Sequence, residues 1–419
     1  MKQIFTHLFI LFGCSQFTQA QITIDTVTTG SSYSQNIWYS LENDNQAASA
    51  NTSWDLALAT SVSQSNPLTT AILVNHKIGS LYEAVGSNPS NFSSVDTVGL
   101  ASWTPLYNSD TTWAKGAFNN TISLGNFDYG WGTYDMVTHS GINTNRVFVL
   151  KYTDGSCKKI KISLSFTATT YELTFSNIDN SNMVVATIDA SQYSDKNFIY
   201  YSLNNGIIDR EPLSSSWDLT FMQYPSFDYD PPYMVAGILQ NVGVEIAQVY
   251  PVNDVVNYVD WSSNQFSNHM NVIGYDWKSY GSGWTIADST VYFVKDKPGN
   301  VWKLIMTGFG GSSTGQYIFS KEKLSALSVN NNELHSFSAH VFPNPSTDKH
   351  ANLIITGAKN NRLTVQLMDL SGKIISEEII AIPNDINQYP LQTESLQSGV
   401  YLVNILSQNS TQQVKLLIY

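Results

Sequence analysis

The amino-acid sequence predicts an all-β protein: two repeated β domains, then a small C-terminal β-sandwich. Three observations carry that prediction. Aromatic residues make up 12% of the 419 residues and charged residues only 13%, about half the usual ~25%. Chains rich in Tyr, Asn, Ser and Thr suit half-exposed pleated strands, whereas helices draw on Glu, Lys, Ala and Leu. The second observation is period-two alternation in the clearest segments, and the third is a set of landmarks that recurs in the same order. The net charge of −12 leaves no large basic face, which excludes a nucleic-acid backbone as partner.

Residues 1–20 read as a signal peptide. Lys2 is the positive start, Ile4 to Phe12 the apolar stretch, and Thr18 and Ala20 the small residues before the cut at Gln21. The rival reading is lipidation at Cys14, because Leu11-Phe12-Gly13-Cys14 resembles a lipobox, although Phe12 is bulky for a position that is usually small. No later segment approaches ~18 uninterrupted apolar residues, so no membrane span is expected. Cleavage after Ala20 leaves Cys157 alone, at the opening of a strand, with no Cys/His pattern around it.

The two β units are expected at 21–177 and 178–328. Ile37-Trp38-Tyr39-Ser40-Leu41 matches Ile199-Tyr200-Tyr201-Ser202-Leu203, an offset of 162. Ser53-Trp54-Asp55-Leu56 matches Ser216-Trp217-Asp218-Leu219 at 163, and Tyr134-Asp135 matches Tyr275-Asp276 at 141. Val147–Phe175 finally corresponds to Val291–Phe319. The fall in offset places about 20 extra residues, a loop or hairpin, in the first copy. In Lys159–Phe166, Ile160, Ile162, Leu164 and Phe166 share one face, with Lys and Ser on the other. Asp154-Gly155 and Pro298-Gly299-Asn300 supply the preceding hairpin turns. Trp54, Leu56 and Leu58 are expected on one side, as are Trp217, Leu219 and Phe221. Asp55 and Asp218 then face the other way, accepting hydrogen bonds from backbone or Tyr.

These landmarks, with the Tyr152-Thr153-Asp154-Gly155 turn, resemble the HmuY family of secreted haem-binding β-proteins from the Bacteroidetes. The resemblance implies a β fold and makes haem the leading ligand. Haem needs axial ligands, usually His or Met. In the first copy His76 and His139 follow strand patterns and are expected to converge from two loops. The second copy has Asn241-Val242 where His76 would fall, leaving His269, Met270, Met222 and Met234.

A glycan-binding or adhesive module is the alternative. Trp103, Trp113, Trp131, Trp261, Trp277 and Trp284 lie in irregular segments rich in Gly, Ser and Asn, where exposed rings stack on sugars; packing under long loops is the competing reading. Trp103 and Trp131 join His76 and His139 as candidate ligand-binding residues.

Enzymatic patterns are thin. Gly311-Ser312-Ser313-Thr314-Gly315 sits between two strands, where a nucleophile elbow needs strand-turn-helix. Asp228-Tyr229-Asp230 lacks the glycine and closing glutamate of a calcium loop and reads as a rigid acidic turn. No metal, phosphate-loop or redox motif occurs, so the chain is read as non-enzymatic, with no catalytic or metal site.

No Trp follows Trp302, and a polar linker at 329–338 leads to a tail at 339–419. The tail holds Val341-Phe342-Pro343-Asn344-Pro345-Ser346, Met368-Asp369-Leu370-Ser371-Gly372-Lys373 and Gly399-Val400-Tyr401-Leu402-Val403. Ser371-Gly372 reads as a hairpin turn, and Tyr401, Val403 and Ile405 as one strand face. The tail is similar, motif by motif, to the type A sorting domain of the type IX (Por) secretion system. Pro343, Asn344, Pro345, Asp369, Gly372, Gly399 and Tyr401 carry that similarity. It implies export by the type IX machinery, removal of the tail, and release or attachment to surface lipopolysaccharide.

Overall fold

The computed structural model describes residues 22–61, 68, 70–325, 337–347, 349–356, 362–369, 372–384, 386–407 and 411–419. The expected signal peptide at 1–20, Cys14, His335, Ser371 and most of the 329–338 linker lie outside the described residues. Antiparallel strands dominate, and among the described residues no helix is long and apolar enough to cross a membrane. The chain divides into two compact units, with the boundary at Ala326 and Leu327.

The first unit contains two sandwich cores. In one, a sheet ordered Val184–Asp189, Thr170–Asn177, Cys157–Ser165, Phe148–Tyr152, Gly79–Glu83 faces a four-stranded sheet ordered Gly206–Ile208, Phe198–Ser202, Leu56–Ala59, Ile72–Val74. In the other, a sheet ordered Thr23–Thr28, Gln316–Ser325, Val301–Phe309, Val291–Lys295, Glu245–Val249 faces Tyr233–Gln240, Leu219–Ser226, Gln35–Tyr39, Gln46–Ala50. The copies therefore exchange their opening strands. Leu56–Ala59 pairs with Phe198–Ser202 of the second copy, and Leu219–Ser226 pairs with Gln35–Tyr39 of the first. Thr23–Thr28 closes the second copy's sheet and Val184–Asp189 the first copy's. A boundary at 177/178 marks the sequence repeat, but each core takes strands from both sides of it.

The hairpin and alternation readings hold. Gly155 and Gly299 take the positive φ their turns need, at 89° and 94°, and Ile160, Ile162 and Leu164 are buried in the first core. Lys159 differs: it is buried, and its Nζ donates to the carbonyls of Ser93, Val95 and Ile178. The loop that holds the first copy's extra residues covers it. They lie between Gly79–Glu83 and Gly132–Tyr134, form a loop with short 3-10 turns, and cover the sheet's outer face. The equivalent Lys303 is buried likewise and donates to Val256 O.

The tryptophans of the Ser-Trp-Asp-Leu motifs correct another expectation. Leu56 and Leu58 enter the first core, but Trp54 packs with Ala57, Ala59, Phe198 and Tyr200. The chain bends at Asp55 and the strand starts only at Leu56, so the alternation does not reach back to the tryptophan.

The second unit is the expected small sandwich. A three-stranded sheet, Ser338–Phe342, Ala351–Thr356, Ile386–Leu391, and a four-stranded one, Ile374–Ala381, Arg362–Asp369, Gly399–Leu406, Thr411–Ile418, share one core.

Candidate functional site

Strand alternation decides what the two four-stranded sheets show on their outer faces. Ile199 and Tyr201 point into the first core, which turns Phe198 and Tyr200 outward; Ile37 and Tyr39 point into the second, which turns out Asn36 and Trp38. These outer faces line one cleft, completed by Trp54, Trp217, Thr220, Met222 and the inserted segment around Asn108 and Trp113. The cleft encloses about 860 Å³ counted to its open mouth.

Equivalent residues of the two copies meet there. Trp38 and Tyr200 are counterparts, as are Trp54 and Trp217. The framework behind them is duplicated too. Leu203 N–H donates to Asp55 Oδ2 at 2.7 Å, and Leu41 N–H to Asp218 Oδ2 at 2.8 Å. Asn75 Nδ2 donates to Trp54 O and Asn241 Nδ2 to Trp217 O. Tyr152 OH donates to Asp55 Oδ1. Both repeated aspartates thus anchor strands, as the sequence indicates. Trp113 Nε1 donates to Gln240 O at 2.8 Å, tying the first copy's insertion to the second copy.

Several buried polar atoms of the cleft have no hydrogen-bond partner among the described residues: Trp54 Nε1, Trp217 Nε1, Thr220 Oγ1 and Glu211 Oε1. Burial pushes the Glu211 carboxyl up to about 7, although Glu211 Oε2 accepts from Phe198 N–H. The Arg210 guanidinium lies 4.9–5.3 Å from the Tyr200, Trp38 and Trp54 rings, and its three nitrogens likewise lack partners among the described residues. Native proteins leave few buried polar atoms unsatisfied, so four among the residues that line one cleft stand out.

The structure separates the candidate ligand residues. His76 lines the cleft, stacked on Tyr107 with ring centroids 5.3 Å apart, and its Nε2 accepts from Asn108 N–H at 3.1 Å. Burial pushes its imidazole down to about 4. His139 sits in an exposed turn at φ 54°, with Nδ1 bonded to Tyr134 OH, and is not part of the cleft. The expected convergence of the two histidines is corrected accordingly. Trp131 is fully buried in the first core and donates Nε1–H to Thr70 O, so it offers no face to a sugar. Trp103 is half-buried against Phe92 and Leu100. Trp277 is buried, Trp261 packs under a loop, Trp284 is exposed, and Trp113 alone of the six lines the cleft. Trp54 and Trp217 are expected to face the core; their recurrence in both copies is the signal that could have found a shared wall. Ser313 sits on a single helical turn and donates to Gly310 O. Among the described residues no cluster of three or more His, Cys, Asp or Glu can hold a metal.

In the tail the three motifs interlock. Asn344 Nδ2 donates to Lys415 O and Asn344 Oδ1 accepts from Leu417 N–H, which ties the Pro343–Pro345 segment to the last strand. Asp369 pairs in register with Tyr401, Gly372 turns at φ 84°, and Gly399 pairs with Ile418.

Residues 340–419 match the model of the secretion system C-terminal sorting domain. The protein is thus secreted or held at the cell surface, and its tail engages the type IX secretion machinery. A comparison with curated proteins finds no match. A solved Salmonella alpha-2-macroglobulin mutant is similar at 10% identity and a TM-score of 0.20, over 94% of this chain and 30% of that one. The chain spans under a third of that protein's length, and a likeness this weak carries no argument.

Proposed function

We propose that this exported protein is a non-enzymatic binding protein for a neutral saccharide, held in the cleft between the exchanged sheets. The observation that carries the reading is the set of unpartnered atoms on the cleft wall: two indole N–H donors, a carboxyl oxygen and a hydroxyl. A sugar hydroxyl both donates and accepts, so it suits donors and acceptors alike, and a sugar's C–H face stacks on indole. The acid in the wall and the net charge of −12 disfavour anionic sugars.

The HmuY-like resemblance points to haem, but the expected His76/His139 pair is not available to it, although Met222, Met234 and Met270 also line the cleft. An axial pair needs two free imidazole or thioether ligands facing each other. His76 spends Nε2 on Asn108, and His139 lies outside the cleft.

Calorimetric titration with a panel of neutral mono- and disaccharides tests the proposal. At least one is expected to bind one-to-one, and Glu211→Gln or Thr220→Val is expected to weaken it about tenfold, the worth of one hydrogen bond. No binding across the panel, with a Soret shift on haem addition that is lost in His76→Ala, overturns it.

A further inference from the structure

We infer that the cleft takes the end of a neutral oligosaccharide chain, with the following units laid across an aromatic rim at the tip of the hairpin formed by Leu219–Ser226 and Tyr233–Gln240. This rests on the saccharide reading above. The register shows the continuity. Pro225 and Met234 face each other across the hairpin and line the cleft; Ser226 and Tyr233 form the next rung outward. Beyond them Phe227, Tyr229 and Tyr233 are 46%, 48% and 64% exposed, where few of the described rings are.

The rim is held in place. Phe227 N–H donates to Asp110 Oδ2 at 3.0 Å, and its ring meets the edge of Tyr107, which stacks on His76 in the cleft wall. A path of rings therefore runs from the cleft to the surface. Tyr229 packs against Tyr233 and Tyr275 at 5.7 and 6.2 Å, and Tyr275 OH donates to Asp228 Oδ2 at 3.0 Å. Preorganised rings bind with little loss of conformational freedom. The Asp110, Asp228 and Asp230 carboxylates beside them accept hydroxyl hydrogens and repel uronates and sulfates. The chain end, rather than the middle, is favoured because the path of rings leaves the cleft toward one place, the hairpin tip.

The test uses the full chain and cello-, malto-, xylo- and manno-oligosaccharides of one to six units, with oligogalacturonides as the anionic control. In the series that binds, Kd is expected to fall at least tenfold between one unit and three and then level off. The Tyr229→Ala/Tyr233→Ala double variant, folded as judged by an unchanged Tm, is expected to lose that gain while keeping the one-unit Kd. Partial hydrolysis of the parent polymer is expected to improve competition at equal mass, because it adds ends. Equal Kd at all lengths overturns the rim and leaves the cleft reading standing. Competition independent of the number of ends overturns end capture. Binding of none of the sugars overturns both readings. Tighter binding of the oligogalacturonides overturns neutrality. Retention of an aromatic-rich peptide by the rim, with no chain-length effect on sugars, makes it a protein-docking surface instead.

Discussion

Asp55 and Asp218 show how a repeated acid inside a β run serves structure. Each fixes the strand end of the other copy through one backbone N–H. Their repetition and strand position were legible; the identity of the donors, 148 and 177 residues away, was not. Burial pushes Asp218 up to about 6 and Glu211 up to about 7, from ordinary values of 3.8 and 4.5. The folded state then holds protons that the unfolded chain releases, so stability falls as pH rises from about 4 to 7. The Asp218→Asn/Glu211→Gln variant should lose that slope and gain up to ~3 kcal/mol per site over wild type at pH 8. Urea melts of both proteins at pH 4, 6 and 8 check it; parallel curves at all three contradict it.

At the scale of elements, the inserted segment of the first copy is pinned from beneath by two buried cations. Arg146 donates to Glu83 and to both oxygens of Asp128, and Lys159 donates to two carbonyls of the segment, Ser93 and Val95. Burial works against the Asp128 charge, but Arg146 and neighbouring N–H groups hold the carboxyl down at about 2. Its contribution is therefore present above about 4 and lost as pH falls toward 2. Arg146→Met strands both acids and should cost about 3–5 kcal/mol. Pulsed proteolysis should then cut first within 118–131; a cut elsewhere, or an unchanged melt, counts against the account. The alternation of Ile160, Ile162 and Leu164 predicted the strand, but a lone strand pattern cannot show that a distant loop covers its polar face, and so Lys159 read as solvated. The bend at Asp55 is equally invisible to a period-two count, which is why Trp54 and Trp217 were missed as site residues.

For the whole molecule, the duplication was legible and the exchange was not. The Trp-Asp-Leu strand of either copy can pair with either aromatic-Tyr-Ser-Leu strand, because the two are nearly identical; only assembly of both cores selects the partner. Exchange has a mechanical consequence. A protease site placed in the exposed turn at 179–182 should yield a nicked protein that elutes as one species and melts cooperatively, since each fragment completes the other's core. Two separately folded fragments contradict the exchange.

The claim on which the functional account depends is that both copies build one site. Indole N–H resonances of ¹⁵N-tryptophan-labelled protein, assigned with Trp54→Phe and Trp217→Phe, report on it directly during titration with the saccharide that binds. The account predicts that the Trp54 and Trp217 signals move together along a single isotherm, at one ligand per chain. Signals that stay still while others move, or that follow two independent isotherms, contradict it.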